Sequence, residues 1–133
     1  MVRRIVTSRD YHVPVLGFSQ AVISSVGTVD TLYVSGLTAR KDDGEIVCVG
    51  DPTGQARQVL KSLALILAEV GGDLDDVVRI VTYLVNMEHH EAVHAVRREV
   101  FGDEPPASSS VEVSRLFHLD QLIEIEATAI IYR

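Results

Sequence analysis

Cysteine, positive charge and long hydrophobic runs are all scarce in this chain of 133 residues. Cys48 is the only cysteine, which excludes an intrachain disulfide and a cysteine-based zinc site and fits a reducing cytoplasm. It stands in the apolar run 45–50, where we interpret it as a buried, unreactive thiol. Lys and Arg number 12 against 19 Asp and Glu, a net charge of −7. The pairs Arg3-Arg4 and Arg97-Arg98 are interpreted as solvated surface, so we expect no nucleic-acid partner.

The longest apolar stretch, residues 63–68, is far too short to span a bilayer. Residues 1–7 contain no apolar run of the length of a signal peptide. We therefore predict a soluble cytoplasmic protein with no membrane partner. Its length predicts one domain over residues 1–133, because no internal repeat, linker or low-complexity segment divides it.

The hydrophobic pattern predicts five strands and two helices. The strands are Ala21–Val26, Thr31–Leu37, Val77–Val85, Ser109–Leu116 and Leu122–Tyr132. A turn around Gly27 and Asp30 joins the first two. One helix begins at the cap Asp51 and ends at residues 71–72. Asn86 is predicted to cap a second helix that runs to about Phe101.

The segment Val77–Val85 is apolar on both alternating faces, which is typical of a strand buried on both sides. Two helices can cover only one face of a sheet of this size. We therefore predict that another copy of the chain covers the second face. Glu124 and Glu126 share one face of the last strand, so a site containing them would lie at or near that interface.

Short segments in a fixed order resemble the RidA (YjgF-like) family. They are Phe18–Val22, Leu32–Gly36, Leu74–Val78, Val111–Val113 and Glu124–Ala127, with Pro106-Ala107-Ser108-Ser109-Ser110 before the fourth. The resemblance covers residues 17–129. It implies a chorismate-mutase-like α+β fold, in which a mixed β-sheet has two helices on one face and trimerises through the other. It also implies ligand clefts between subunits.

The resemblance extends to the site residue by residue. Glu124 matches the glutamate that positions the hydrolytic water, and Gly36 matches the glycine whose backbone lines the pocket. Phe18 stands in place of a pocket tyrosine, and His94 in place of an asparagine. Ser108 replaces the arginine that binds the carboxylate of a 2-imino acid in the deaminating members.

The loss of that arginine changes the function that we expect. An arginine–carboxylate contact in a partly desolvated pocket contributes on the order of 2–5 kcal/mol to binding, which one neutral serine hydroxyl does not replace. We therefore predict a RidA-type hydrolase or deaminase, but not a standard 2-imino acid deaminase. Its ligand is expected to be small, neutral or weakly anionic, with an imine, enamine or amide-type centre.

The predicted site contains one catalytic residue and seven binding residues, with no metal and no cofactor. Glu124 is the catalytic residue, and Phe18, Ser35, Gly36, His94, Ser108, Ser109 and Ser110 bind the substrate. Glu124 could instead be an interface carboxylate, His94 a surface residue and the serines an ordinary strand entry. The alternative function is a non-catalytic trimer that binds a metabolite or regulates a partner. The ribonuclease activity attributed to the family is disfavoured by the acidic charge.

One further motif competes with this interpretation. His90-Glu91-Ala92-Val93-His94 spells H-E-x-x-H on a predicted helix, a spacing at which two histidines chelate zinc with the glutamate as base. No third ligand follows on a downstream helix, since the rest of the chain is predicted to form strands. We therefore favour a helix without metal.

Overall fold

A computed structural model describes residues 1–15 and 17–133, which form a six-stranded sheet and two α-helices. The strands are β1 (Val2–Val6), β2 (Ala21–Val26), β3 (Val29–Leu37), β4 (Val77–Leu84), β5 (Ala107–Glu112) and β6 (Ile123–Tyr132). The helices are α1 (Pro52–Ala68) and α2 (His90–Phe101). The sheet order is β1-β2-β3-β6-β4-β5, and every pair is antiparallel except β4 with β5. The predicted mixed sheet is confirmed.

The N-terminal strands form a meander at one edge of the sheet. Gly27 (φ 61°) makes the turn between β2 and β3, as predicted, because the left-handed region favours glycine. Asp30 lies inside β3 instead of in the turn and is paired with Arg133 at 3.1 Å. The edge strand β1 was not predicted.

Helix α1 forms where its local signals predict. Asp51 accepts a hydrogen bond from the Gly54 amide at 3.0 Å, and Pro52 occupies the first turn, where its missing N–H costs nothing. Its apolar stripe is fully buried, with Leu63, Ile66 and Leu67 at most 1% exposed.

Helix α2 begins later than predicted. Asn86 accepts from the Glu88 amide and so caps a 3₁₀ turn over Met87–His89, which leads into α2 at His90. The predicted stop is confirmed, since Gly102 ends the helix with φ 66°. Val93 and Val96 point into the core.

The two helices cover one face of the sheet, which we call the helix face, and the other is the open face. On β6 the odd residues from Ile123 to Ile131 are buried against the helices, while the even residues 124–130 are half-buried on the open face. On β4, Ile80 and Leu84 are buried, whereas Arg79 is exposed and Val81 is half-buried on the open face. The strand is thus covered on one side in a single chain, and the predicted trimer stays a prediction.

Two further local predictions were wrong. The fifth strand spans Ala107–Glu112 instead of 109–116, because it ends where its partner β4 ends. Cys48 is exposed, with φ 54°, in the loop before α1, so it is not a buried strand residue. Among the residues described, no helix is both long and apolar enough to cross a bilayer.

Candidate functional site

The predicted site residues divide between two cavities. Phe18, Ser35, Gly36 and Glu124 line a cavity of about 520 Å³, the Glu124 cavity, between the N-terminal loop and strands β3 and β6. His94, Ser108 and Ser110 line a second cavity of about 450 Å³, the Arg97 cavity, between α2 and β5. Within one chain, the site predicted from the sequence is therefore two separate sites.

A buried glutamine holds the loop that forms one wall of the Glu124 cavity. Gln20 is 2% exposed; its Oε1 accepts from the Ser8 amide at 2.7 Å and its Nε2 donates to the carbonyls of Ser8 and His12. Ser35 donates to the carbonyl of Ser19 at 2.7 Å, which ties the loop to β3. Phe18 remains 64% exposed at the rim of the cavity.

Gly36 and Glu124 are in close contact. The pairing of β3 with β6 shifts register between Val34 and Leu37, which places Gly36 against the Glu124 side chain. A Cβ at position 36 would lie 2.7 Å from both Cδ and Oε1 of Glu124. Only glycine leaves room for the carboxyl where it now stands.

The surroundings of Glu124 favour the protonated form of its carboxyl. Its burial, with the nearby charge of Glu126 adding and that of Arg40 opposing, raises the pKa of Glu124 above its ordinary value. Across residues 1–15 and 17–133, no donor lies within hydrogen-bonding distance of its carboxylate. The carboxyl is thus free to bind a water or a ligand.

The neighbouring carboxylate is already engaged. Tyr83 on β4 donates a short hydrogen bond to Glu126. This bond is the main reason why the pKa of Tyr83 is raised, and burial and the charges of Glu126 and Glu124 add to it. Glu126 therefore has a structural partner, whereas Glu124 has none among the residues that the structure describes.

The Arg97 cavity is centred on a buried arginine. Arg97 is 8% exposed, and its Nη1 lies within hydrogen-bonding distance of three hydroxyl oxygens, Ser108 Oγ and Ser110 Oγ at 3.1 Å each and Thr82 Oγ1 at 3.3 Å. The interpretation of Arg97-Arg98 as solvated surface was wrong for Arg97. The spacing of His90, His94 and Arg97 along one helix face was the signal that could have indicated this cluster.

The H-E-x-x-H histidines point towards Arg97. The rings of His90 and His94 stack with centroids 5.8 Å apart, and Arg97 Nη2 lies 3.4 Å from His90 Nε2 and 3.5 Å from His94 Nδ1. Because a guanidinium can only donate, a hydrogen bond at either contact requires the imidazole nitrogen to be the acceptor. Partial desolvation and then the charges of Arg97 and Arg98 lower the pKa of His94. In the described part of the chain, no three His, Cys, Asp or Glu side chains cluster as a metal site would require.

The predicted serines do not all share one cavity. Ser108 and Ser110 lie opposite Ile80 and Thr82 on the helix face, where they contact Arg97. Ser109 alternates to the open face. Ser108 pairs with Ile80 of β4, which pairs with Ala127 of β6, and Glu124 lies three residues before Ala127. Two strand spacings and three residues along a strand separate the backbones of Ser108 and Glu124 by roughly 14 Å.

A six-stranded mixed sheet with two helices on one face and a free carboxyl in a cleft on the other defines a small α+β ligand-binding fold. The profile of the Endoribonuclease L-PSP family matches residues 11–131. The chain belongs to this family, the RidA (YjgF-like) family that its motifs resemble.

Relatives agree with this assignment. A RutC family protein of Pyrococcus horikoshii is 36% identical over 129 residues, which cover 96% of this chain and 98% of that protein. The 3-aminoacrylate deaminase RutC of Acinetobacter baylyi is 37% identical over 98 residues, 74% of this chain and 77% of the relative. The RidA structure from an Antarctic Psychrobacter superimposes with a TM-score of 0.84 at 26% identity, covering 96% of this chain and 99% of the other.

Proposed function

We propose that this protein hydrolyses the C=N bond of a small imine, or of an enamine after tautomerisation, with Glu124 as the acid–base residue. The observation that supports this best is the Glu124 carboxyl itself. It is partly buried, has no hydrogen-bond donor in the described chain, and its pKa is raised. A relative 37% identical to this chain is a 3-aminoacrylate deaminase, which acts on an enamine.

The chemistry requires one water and one proton shuttle. Ionised Glu124 accepts a proton from water while the water oxygen bonds to the imine carbon, and the C=N π pair moves to nitrogen. The protonated Glu124 then returns its proton to nitrogen, which gives a carbinolamine. Glu124 next takes the hydroxyl proton and passes it to the amine nitrogen, the C–N pair leaves with nitrogen as ammonia, and the oxygen pair forms the carbonyl. An imine and a water thus become a carbonyl compound and ammonia. A pKa raised towards neutrality suits a group that must take and return a proton.

We also propose that the active unit is a homotrimer joined through the open face. Tyr33 at the middle of that face is 54% exposed in a single chain, and Val111 on β5 is 42% exposed. Because β5 is an edge strand, the Arg97 cavity lies at the margin of the sheet, and in this assembly we place the Glu124 cavity of the neighbouring subunit against that margin. This would reunite the residues that lie roughly 14 Å apart within one chain.

The test is ammonia release, measured above the spontaneous rate, with 2-iminobutanoate and 3-aminoacrylate generated in the assay. Glu124→Gln keeps the size of the side chain and removes the base, so turnover should fall about 10²–10⁴-fold. The matched control is Glu126→Gln, on the same face, whose carboxylate is held by Tyr83. We expect the control to lose less than about tenfold. Equal losses in the two variants would contradict the assignment.

The alternative is a non-catalytic trimer that binds a metabolite or regulates a partner protein. It predicts saturable binding of small metabolites with no ammonia release from any imine or enamine above background. A ribonuclease is disfavoured despite the description of the family, because a net charge of −7 repels a phosphate backbone. A reducing cytoplasmic location fits the single, exposed Cys48.

A further inference from the structure

Arg97 is the one lysine or arginine that is buried among the described residues, and it has no acidic partner there. Cations that do pair closely with a carboxylate stay at least half exposed, as in Arg57–Glu99, Arg133–Asp30 and Lys41–Glu45. Within residues 1–15 and 17–133, the polar contacts of the Arg97 guanidinium are hydroxyls and imidazole nitrogens. A buried charge normally has a charged partner, because desolvation is costly. The missing partner therefore points to an anion that comes from outside the chain.

The surrounding dipoles do not neutralise the guanidinium. Its Nη1 has two protons for three hydroxyl oxygens, of Thr82, Ser108 and Ser110, so these contacts are not all made at once. Hydroxyls can also turn and donate, which lets Ser108 and Ser110 bind an anion held by Arg97. In a chain with a charge of −7, this cavity is a local positive site.

The shape of the cavity favours a small organic anion. It has a volume of about 450 Å³, opens to solvent, and combines the polar end at Arg97 with apolar walls from Ile80, Phe101 and Pro106. A planar guanidinium fork matches a planar carboxylate, and the apolar walls suit a short carbon skeleton.

We propose that Arg97, with Ser108 and Ser110, forms a binding site for a small carboxylate in the Arg97 cavity. The cation that is absent from position 108 is supplied by α2 instead of β5. Binding at this site stands independently, whereas its use in catalysis rests on the proposed function, in which the substrate would then be an imino or enamino acid. This replaces the neutral or weakly anionic ligand expected from Ser108 alone.

The experiment is a calorimetric titration of the intact protein with pyruvate, an unreactive 2-oxo carboxylate, beside inorganic phosphate. We expect saturable pyruvate binding that weakens at least about tenfold in Arg97→Gln. The control is Arg57→Gln, which removes the same charge from an exposed pair with Glu99 and should bind as the wild type does. Unchanged affinity in Arg97→Gln, absence of saturable pyruvate binding by the wild type, or binding of phosphate alone would overturn the proposal.

Two further variants keep the test valid if Arg97→Gln fails to fold. The hydroxyl of Ser108 lies 3.1 Å from Arg97 Nη1, so Ser108→Glu places a carboxylate beside the guanidinium. This variant should raise the melting temperature and abolish pyruvate binding. In the charge relocation Arg97→Gln with Ser108→Arg, binding should return to within tenfold of the wild type. Ser108→Glu with unchanged pyruvate affinity would refute the site.

Ammonia release tests the proposed function and pyruvate binding tests the carboxylate site, so the two proposals can be contradicted separately. A protein that binds pyruvate through Arg97 but releases no ammonia would contradict the proposed function and leave the carboxylate site intact. Hydrolysis of 2-iminobutanoate that is lost in Glu124→Gln but unaffected in Arg97→Gln would overturn the use of the carboxylate site in catalysis, while the pyruvate titration decides whether the site itself exists.

Discussion

A methyl group at position 36 would compete with the Glu124 carboxyl for the same space. The Cβ of an alanine would lie 2.7 Å from Glu124 Cδ and Oε1, and an ordinary contact needs 3.4 Å or more. The carboxyl would therefore have to retreat by roughly 0.7 Å. The backbone itself is no obstacle, because Gly36 is not among the residues with positive φ.

Gly36→Ala should thus separate stability from activity. The obstructing atoms belong to the end of a flexible side chain beside a cavity of about 520 Å³, so we expect a stability loss of about 1 kcal/mol or less. Displacement of a catalytic group by about 1 Å costs about 10²-fold in rate. We therefore expect kcat for imine hydrolysis to fall about 10²-fold, equivalent to ~2.7 kcal/mol.

The assay combines urea unfolding with ammonia release for four proteins, namely wild type, Gly36→Ala, Glu124→Gln and the double variant. If the methyl acts through Glu124, its effect on kcat disappears once the carboxylate is gone. A Gly36→Ala protein with wild-type kcat would refute the reasoning. So would a double variant in which the two losses simply multiply.

Three other predictions concern stability and assembly. The raised pKa of Glu124 means that its contribution to stability is fully present below its ordinary value of 4.5 and is lost as pH rises through the folded pKa. Glu124→Gln should therefore melt higher than wild type at pH 7, with the gap closing in acid; a lower melting temperature at pH 7 would contradict this. Tyr33→Asp places a charge on the open face and should reduce the mass measured by light scattering from roughly 44 kDa, a trimer, to the 14.6 kDa of a monomer. An unchanged mass would show that the open face is not the interface. Asp51→Ala should lower the unfolding free energy by about 1 kcal/mol in urea titration, because it removes the cap of α1; an unchanged midpoint would show that the cap contributes nothing.

The elements predicted correctly from the sequence are those specified by local signals. Helix α1 has its cap, its proline and its apolar stripe within one segment, and the alternation of β6 follows from its own residues. Strand β1 was missed because four of its five residues are exposed, and it is held by pairing with β2, a partner some twenty residues away. The extent of β5 is likewise determined by β4.

The candidate site was predictable only in part for the same reason. Gly36 and Glu124 were found through motifs, and the structure brings them into contact. Arg97 looked like half of a surface pair, because its burial depends on how α2 packs against β4 and β5. Whether an arginine has a carboxylate partner is a property of the packed structure and cannot be read along the chain.

The sheet keeps Glu124 on its open face and Arg97 on its helix face, and this separation has a genetic consequence. If each cleft of the proposed trimer takes one residue from each neighbour, two inactive alleles should complement each other. Co-expressed Glu124→Gln and Arg97→Gln chains, mixed at random, would contain one intact cleft in each mixed trimer. That amounts to about a quarter of wild-type activity from two proteins that have almost none.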